Sequence, residues 1–321
     1  MSSAPTQPYQ FAPPPPPIRR AAPNWWVRQV QPRLRVSGPP GEIRVLVTWV
    51  LSVLALITLW FVFFASVLSP LQEAHAQHNA YATLREQLTQ LAPDVAPLGG
   101  IIKPDAPVAL IDAPSLGLKN VVIIEGTASG DLNRGPGHQR STPLPGQPGL
   151  SVVMGRASLF GGVFSRLTSA KPGDAIKVTT GLGIANYVVE DVRHVGDPIP
   201  PALAAGQSQL TLISSEGGHW YNGWRPSRPV YLDAKLTGKA FGDPGGRLTS
   251  VPRAEKPMRG DPSVLFSLVL WLPLLTLAGI AVVWLAARWG RWQTWLIGTP
   301  VVLAALWGAS ETAVQLLPNL M

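Results

Sequence analysis

Three long apolar stretches divide the chain into membrane-spanning and exposed parts. Residues 45–68 contain no charged side chain, and a helix of about 24 residues crosses a hydrocarbon core of roughly 30 Å. Two further stretches, residues 264–287 and 295–317, are separated by a short loop that carries Arg288 and Arg291. The pattern therefore predicts three transmembrane helices, one before and two after a long central region.

The segment that follows the first span, residues 69–98, is mainly polar, with apolar residues at the spacing of one helical face. We interpret it as a stalk helix that lies on the next domain. A small-x-small pattern at Ala74–Ala76 could instead mark a signal-peptide cleavage site, but the first span is longer than the apolar core of such signals, so we expect an uncleaved anchor. The apolar face of the stalk consists of Tyr81, Leu84, Leu88 and Leu91.

Residues 1–44 and 239–263 lack apolar periodicity and are rich in Pro, Gly and Arg. They predict a disordered tail before the first span and a linker before the second. The run Pro13–Pro17 has polyproline II character, which suits either a solvated linker or the aromatic groove of a partner. Trp25 and Trp26, with arginines nearby, predict an anchor among the lipid headgroups.

The central region, residues 99–238, has short apolar runs separated by clusters of Gly, Pro, Asp and Ser, a pattern typical of strands and turns. Near its end, residues 230–236 alternate between apolar and polar side chains, which is the period of a strand with one buried face. We therefore expect a mainly β domain, either a barrel or a sandwich.

Composition limits the chemistry that the chain can perform. It is 46% hydrophobic and 14% charged, as expected when part of it lies in lipid. It contains no cysteine, which excludes disulfides, zinc–thiolate sites and a cysteine nucleophile. His75, His78 and His194 lack metal-ligand spacing, so we expect no metal or cofactor. The net charge of +8 comes from basic residues beside the apolar spans, which disfavours nucleic-acid binding.

The basic residues also predict an orientation. Arginines crowd the segment before the first span, and Arg288 and Arg291 lie between the last two, so both flanks are expected in the cytoplasm. With three spans, this arrangement places residues 99–238 outside the plasma membrane. Glu311 and Gln315 lie near the outer end of the last span, where an interfacial position, a partner contact or an ion site would each explain them.

A series of short motifs follows in order through the central region: Pro107–Gly117, Val121–Thr127, Gly135–His138, Pro145–Gly149, Pro172–Val178, Leu210–Ser215 and Arg228–Tyr231. On these motifs the region resembles the sortase family, and most of all the class E and D sortases of Gram-positive bacteria. The resemblance implies an exported eight-stranded β-barrel, held at the cell surface by the transmembrane helices. It also implies a transpeptidase ancestry, because sortases cleave sorting-signal peptides with a cysteine, a histidine and an arginine.

The resemblance places these three catalytic positions on residues of this chain. The cysteine position falls on Ser215, the histidine position falls on Arg156, and the arginine position falls on Arg228. In the family the thiolate attacks the peptide bond, the histidine serves the leaving amine, and the arginine supports the substrate or the oxyanion. Two of the three positions are therefore chemically changed.

Neither change preserves the family's chemistry. A serine hydroxyl is a weak nucleophile without a base, and Arg156 cannot be that base because its guanidinium stays protonated. His219 is a candidate relocated base for Ser215, with Glu216 to orient it, although a solvated loop histidine is the simpler interpretation. His138 is expected to make a structural hydrogen bond.

We therefore expect a membrane-anchored, non-catalytic sortase-like protein of the cell envelope that acts as a scaffold or binding module. Ser215, Arg156 and Arg228 would form a basic groove for an extended peptide or an anionic cell-wall polymer. Alternatively the groove is degenerate and its arginines are solvated or paired with acids such as Glu216 and Asp191. The hairpin and tail indicate contacts with lipid and with other membrane proteins. The rival functions are a serine-dependent transpeptidase or hydrolase using Ser215, and a transporter component.

Overall fold

The computed structural model describes residues 41–90, 101–216, 228–242, 245 and 247–321. The chain divides into two compact units, residues 1–54 and 55–321. The first unit is described from residue 41 onward, where the helix α1 (Glu42–Phe63) begins. Nearly all of the tail expected at residues 1–44, with Pro13–Pro17, Trp25 and Trp26, lies outside the described residues.

Besides the strands, the described residues form four α-helices. A π-helical turn (Phe64–Leu68) connects α1 to α2 (Ser69–Gln90), and α3 (Leu265–Trp289) and α4 (Arg291–Gln315) form the later hairpin. Pro70 follows the π-helical turn and has no N–H to offer the preceding turn, so this is where a regular helix is hardest to continue. Ser69 donates its hydroxyl to the Ala65 carbonyl at 2.7 Å, which satisfies one acceptor at the irregularity.

The described chain contains three helical segments that are long and apolar enough to cross a membrane, as the apolar pattern predicts. They lie within Glu42–Thr89, Pro262–Trp289 and Arg291–Gln315. The stalk helix is α2, which packs against the first two strands of the β domain. Its Leu84 is fully buried there, whereas Tyr81 is 38% exposed. The predicted apolar face is therefore buried around Leu84 and open at Tyr81.

The β domain is a closed barrel of eight strands, which confirms the expected fold. Around the barrel the strand order is β1-β2-β3-β4-β7-β8-β6-β5, with β5 closing onto β1. The pairs β2/β3 and β4/β7 are parallel, and the other pairs are antiparallel. The strands are β1 (Pro107–Ala113), β2 (Leu118–Glu125), β3 (Gly137–His138), β4 (Gly149–Met154), β5 (Ala175–Thr180), β6 (Gly183–Arg193), β7 (Ser208–Ser215) and β8 (Pro229–Leu236).

The last strand shows both the strength and the limit of the alternation pattern. Val230, Leu232 and Ala234 are fully buried in the barrel core, as the pattern predicts. Asp233, expected on the polar face, is also buried, at 2% exposure. It remains tolerable there because Thr211 Oγ1 donates to its Oδ1 at 2.6 Å and Arg193 forms an ion pair with it.

Gly137 provides a test of how tightly this barrel is built. A Cβ atom at this position would lie 2.0 Å from the Gly126 carbonyl oxygen and 2.8 Å from Leu132 Cδ2. We expect Gly137→Ala to lower the free energy of unfolding by about 3 kcal/mol, because backbone has to move to admit the methyl group. Denaturant unfolding of the full chain in detergent measures this loss.

The matched control is Gly242→Ala, since a Cβ there has no neighbour within 4 Å. This control is expected to stay within about 0.5 kcal/mol of the wild type. Equal unfolding midpoints for the two variants would contradict the close approach at Gly137.

Candidate functional site

The candidate site lies at the barrel edge where β4 and β7 end. Because these strands run parallel, their carboxyl ends reach the same edge. Beyond β4, the Gly155 N–H donates to the Ile213 carbonyl at 2.9 Å, and the Ser214 hydroxyl donates to the Gly155 carbonyl at 3.0 Å. These bonds fix the residues that follow, Arg156 and Ser215, at one edge of the barrel.

The glycine before Arg156 has a packing reason. A Cβ at Gly155 would lie 2.5 Å from the ring of Phe164, so only glycine lets this ring pack against the turn. Phe164 also donates its N–H to the Arg156 carbonyl at 3.0 Å. The turn that positions Arg156 is thus held from both sides.

Ser215 is the last residue of β7 and is 5% exposed. Its hydroxyl donates to the main-chain carbonyl of Leu320 at 2.8 Å. On the other side, the Glu216 N–H donates to the Arg228 carbonyl at 2.9 Å. Arg228 therefore lies directly before the neighbouring strand, β8, at the same edge, and it is exposed. The structure brings the main chain at all three matched positions to one barrel edge.

Arg156 is the largest fully buried side chain in the described part of the chain. Its Nη2 donates to the Ser129 carbonyl at 2.8 Å, to Ser129 Oγ at 2.9 Å and to Asn133 Oδ1 at 2.7 Å. Its Nη1 donates to the main-chain oxygen of Met321 at 3.3 Å. The guanidinium carbon also lies 5.2 Å from the centre of the Phe160 ring. Burial lowers the pKa of Arg156 to about 9.

This burial corrects the basic groove expected from the sequence. A guanidinium that is 1% exposed and bonded to protein acceptors is not available to an anion from solution in this conformation. The alternative, in which both arginines are solvated or paired with acids, does not describe Arg156 either, because this side chain is buried and bonds to Ser129 and Asn133. Only Arg228, of the two arginines at the site, is exposed as the solvated interpretation expects.

Two residues that accept from Arg156 lie at a short 3₁₀ turn, Asp131–Asn133, after β2: Asn133 ends this turn, and Ser129 precedes it by two residues. Asp131 Oδ2 accepts the Ala128 N–H at 2.9 Å and so fixes the turn that presents Ser129 and Asn133. Burial is the main cause that raises the pKa of the Asp131 carboxyl to about 6, and nearby Asp105 and Glu255 add to it. This part of the chain therefore combines a half-buried acid with acceptors for a buried cation.

The histidines have separate roles. His138 is fully buried, with Nδ1 2.7 Å from Glu125 Oε2 and Nε2 3.0 Å from the Pro143 carbonyl, which agrees with a structural hydrogen bond. His219, the candidate relocated base, lies outside the described residues. Across the described ranges, no group of three or more His, Asp or Glu side chains is arranged to hold a metal ion.

Sequence analysis missed the residues that hold Arg156 and Ser215. Ser129 and Asn133 lie between two matched motifs, Leu320 and Met321 lie far beyond the last one, and none belongs to a periodic pattern. One signal was available, because Pro318 cannot continue the helix of the last apolar span. Residues 319–321 therefore had to leave that helix, although nothing in the sequence indicates where they go.

Comparison with known proteins identifies the barrel. Residues 111–221 match the family model of the sortase domain. The sortase D5 transpeptidase of Clostridium perfringens is 20% identical and aligns over 51% of this chain and 99% of its own, with a TM-score of 0.42. Sortase E of Streptomyces avermitilis is 23% identical over 48% of this chain and 99% of its own, with a TM-score of 0.35. No curated protein matches the chain.

The guanidinium of Arg156 donates to several acceptors at once, and this leads to a prediction about stability. Lysine keeps the charge but cannot reach Ser129, Asn133 and Met321 at once, so buried acceptors lose their donors. We expect Arg156→Lys to lower the free energy of unfolding by about 3 kcal/mol. The matched control, Arg166→Lys at an exposed position, is expected to change it by less than about 0.5 kcal/mol. Equal thermal unfolding midpoints for the two variants would contradict a stabilising role of the hydrogen bonds that Arg156 makes.

Because of Asp131, we expect the free energy of unfolding to depend on pH. Its pKa of about 6 in the folded state exceeds the ordinary value of 3.8, so the folded protein holds this proton more tightly than the unfolded chain. The resulting stabilisation is complete at low pH and is lost as the pH rises through about 6. Between about pH 5 and about pH 7.5, we expect the wild type to lose about 1 kcal/mol that Asp131→Asn does not lose.

Denaturant unfolding at both pH values tests this difference. The control is Asp197→Asn, because Asp197 is exposed and also accepts a backbone N–H, that of His194 at 2.7 Å. This variant is expected to keep the wild-type pH dependence. If Asp131→Asn keeps it too, the carboxyl does not titrate as its burial requires.

Proposed function

The chain carries a sortase domain, and we propose that it works as a non-catalytic, membrane-anchored scaffold or binding module of the cell envelope. The state of Ser215 carries this proposal. Its hydroxyl donates to the Leu320 carbonyl at 2.8 Å, and no histidine or carboxylate side chain of the described residues bonds to it. A serine without a base is a poor nucleophile at neutral pH.

The residue at the histidine position supports the same proposal. With a pKa of about 9, Arg156 stays protonated at neutral pH and has no lone pair with which to accept the Ser215 proton. Its Nη atoms are already engaged with Ser129, Asn133 and Met321. Each lost catalytic element typically costs orders of magnitude in rate, so we propose that ordinary transpeptidation is absent.

We propose that the helices anchor the barrel outside the plasma membrane, with the N-terminal flank in the cytoplasm. The arginines before the first span and between the last two support this orientation. Trp60 Nε1 donates to Ser310 Oγ at 3.0 Å, and Gln72 Nε2 donates to Glu311 Oε1 at 3.0 Å. These bonds give Glu311 a partner within the chain, which favours an anchor over a transporter component.

We propose that the ligand is an extended peptide and not an anionic cell-wall polymer. An anionic polymer would need free cationic donors, and Arg156 is buried and bonded to protein acceptors. The site instead presents main-chain donors and a serine hydroxyl, which suit a peptide carbonyl. Assembly with other membrane proteins through the hairpin remains part of the scaffold proposal.

The absence of catalysis is directly testable. We expect the purified full chain in detergent, incubated with sorting-signal peptides and an amine acceptor, to give neither cleavage nor an acyl adduct on Ser215 by mass spectrometry. The physical reason is that no described group removes the Ser215 proton. Turnover that Ser215→Ala abolishes would overturn the proposal and favour the serine-dependent hydrolase.

The double variant Arg156→His with Ser215→Cys is the positive control, since it restores both changed groups. We expect it to regain some cleavage, because the barrel edge that presents these positions is intact. Its unfolding must be measured alongside, because histidine cannot replace the fork of donors that Arg156 supplies.

A further inference from the structure

The segment after α4 does not end at the membrane helix but enters the barrel edge. Leu316 and Leu317 close the helix with N–H bonds to Ala313 and Val314. The next residues, Asn319, Leu320 and Met321, are 0%, 0% and 5% exposed. We refer to residues 319–321 as the inserted segment. Its burial is as complete as that of the barrel core, although it belongs to no strand.

Main-chain hydrogen bonds hold the inserted segment beside the matched catalytic positions. The Ala157 N–H donates to the Leu320 carbonyl at 3.0 Å, and Ser215 Oγ donates to the same oxygen at 2.8 Å. The Asn319 N–H donates to the Arg259 carbonyl at 3.0 Å. The Met321 N–H donates to the Pro318 carbonyl at 3.0 Å, so the inserted segment forms a turn, and one main-chain N–H and one hydroxyl of the barrel edge hold its Leu320 carbonyl.

Each side chain of the inserted segment has its own subsite. The Asn319 amide donates to the Thr127 carbonyl at 2.9 Å and to the Lys256 carbonyl at 3.1 Å. Leu320 lies in an apolar cluster that includes Met154 and Ile213 on the ends of β4 and β7. Met321 lies in a second cluster, together with Phe64, Leu159, Phe160 and Val314. One amide subsite and two apolar subsites therefore bind the side chains of three consecutive residues.

The fit is incomplete at two polar atoms. Asn319 Oδ1 and Arg156 Nε are buried, and neither has a hydrogen-bond partner among the described residues. A buried polar atom without a partner is a destabilising feature that an alternative occupant or a rearrangement relieves. The inserted segment is thus well held by its backbone and apolar side chains but is not an optimal occupant of the site.

We propose that this barrel edge is a peptide-binding cleft whose resident ligand is the chain's own inserted segment. An external peptide of the same chemistry, a segment with an amide side chain followed by two apolar side chains that adopts the same turn, binds when the inserted segment leaves. The proposal deepens the binding function proposed above and rests on it. Tethering gives the resident segment a high effective concentration, so it excludes weaker peptides.

Leu320→Asp tests the exchange, because a carboxylate is not tolerated in the apolar cluster around Met154 and Ile213. The probe is a fluorescein-labelled, amidated Leu-Leu-Pro-Asn-Leu-Met peptide, and its anisotropy is measured with the full chain in detergent. We expect the variant to bind the probe at least about tenfold more tightly than the wild type. A probe with Asp in place of its second-last residue is expected not to bind.

Two further variants keep the test decisive. Asn319→Ala removes the amide bonds to Thr127 and Lys256 without introducing a charge, and is expected to tighten probe binding about fivefold. The Asn319→Ala variant tests the same exchange if the Leu320→Asp protein does not fold. Ile199→Asp is the matched control, because Ile199 is 86% exposed and its variant is expected to bind like the wild type.

The outcomes separate the two proposals. A folded Leu320→Asp or Asn319→Ala protein that binds the probe no better than the wild type shows that the inserted segment is only structural, and overturns the exchange. Equal gains with Ile199→Asp would assign the binding to the detergent-exposed surface and overturn it as well. Peptide cleavage dependent on Ser215 would overturn the non-catalytic function while leaving the exchange result intact.

Discussion

The guanidinium of Arg156 is removed from water, and it must therefore find its hydrogen-bond acceptors inside the protein. No Asp or Glu side chain in the described part of the chain forms an ion pair with it, and its acceptors are oxygens of Ser129, Asn133 and Met321. Losing even one of them would leave a buried charge poorly solvated. This requirement ties together elements that lie far apart in sequence: the turn at Ser129 and Asn133, the loop after β4, and the main chain at Met321.

That requirement also couples the membrane hairpin to the barrel. The inserted segment follows α4 directly, and its Leu320 carbonyl is held by Ser215 while its Asn319 amide bonds to Thr127 in the barrel and Lys256 in the linker. The linker is held in turn, since Arg140 pairs with Glu255. Residues 55–321 consequently have a continuous set of contacts from the later span to the barrel edge. Movement of α4 along its axis would therefore displace the inserted segment, which connects this helix to the barrel edge.

The barrel and the three apolar helices could be predicted because each leaves a periodic or compositional signal. The strand at residues 230–236 alternates, and the stretches 45–68 and 264–287 are uncharged, while residues 295–317 contain one charged side chain, Glu311. The assignment of Ser215, Arg156 and Arg228 to the three catalytic positions depends on ordered motifs and stays a prediction. The environment of Arg156 could not be predicted, because its acceptors belong to aperiodic turns and to residues beyond a helix end. The burial of Asp233 could not be predicted for a similar reason. The alternation of strand residues does not reveal that Thr211 and Arg193 bond to its carboxylate.

Replacing the base by a cation changes what the barrel edge can do with a peptide carbonyl. A histidine at this position would compete for the Ser215 proton, whereas a buried arginine leaves that proton free to be donated to the carbonyl of Leu320. In the proposed binding site the same serine is a hydrogen-bond donor to the bound segment and not a nucleophile. Arg156 also bonds the main-chain oxygen of the next residue, so the two side chains contact consecutive main-chain oxygens of one segment. Ser215 and Arg156 are therefore mutually consistent as parts of the proposed site.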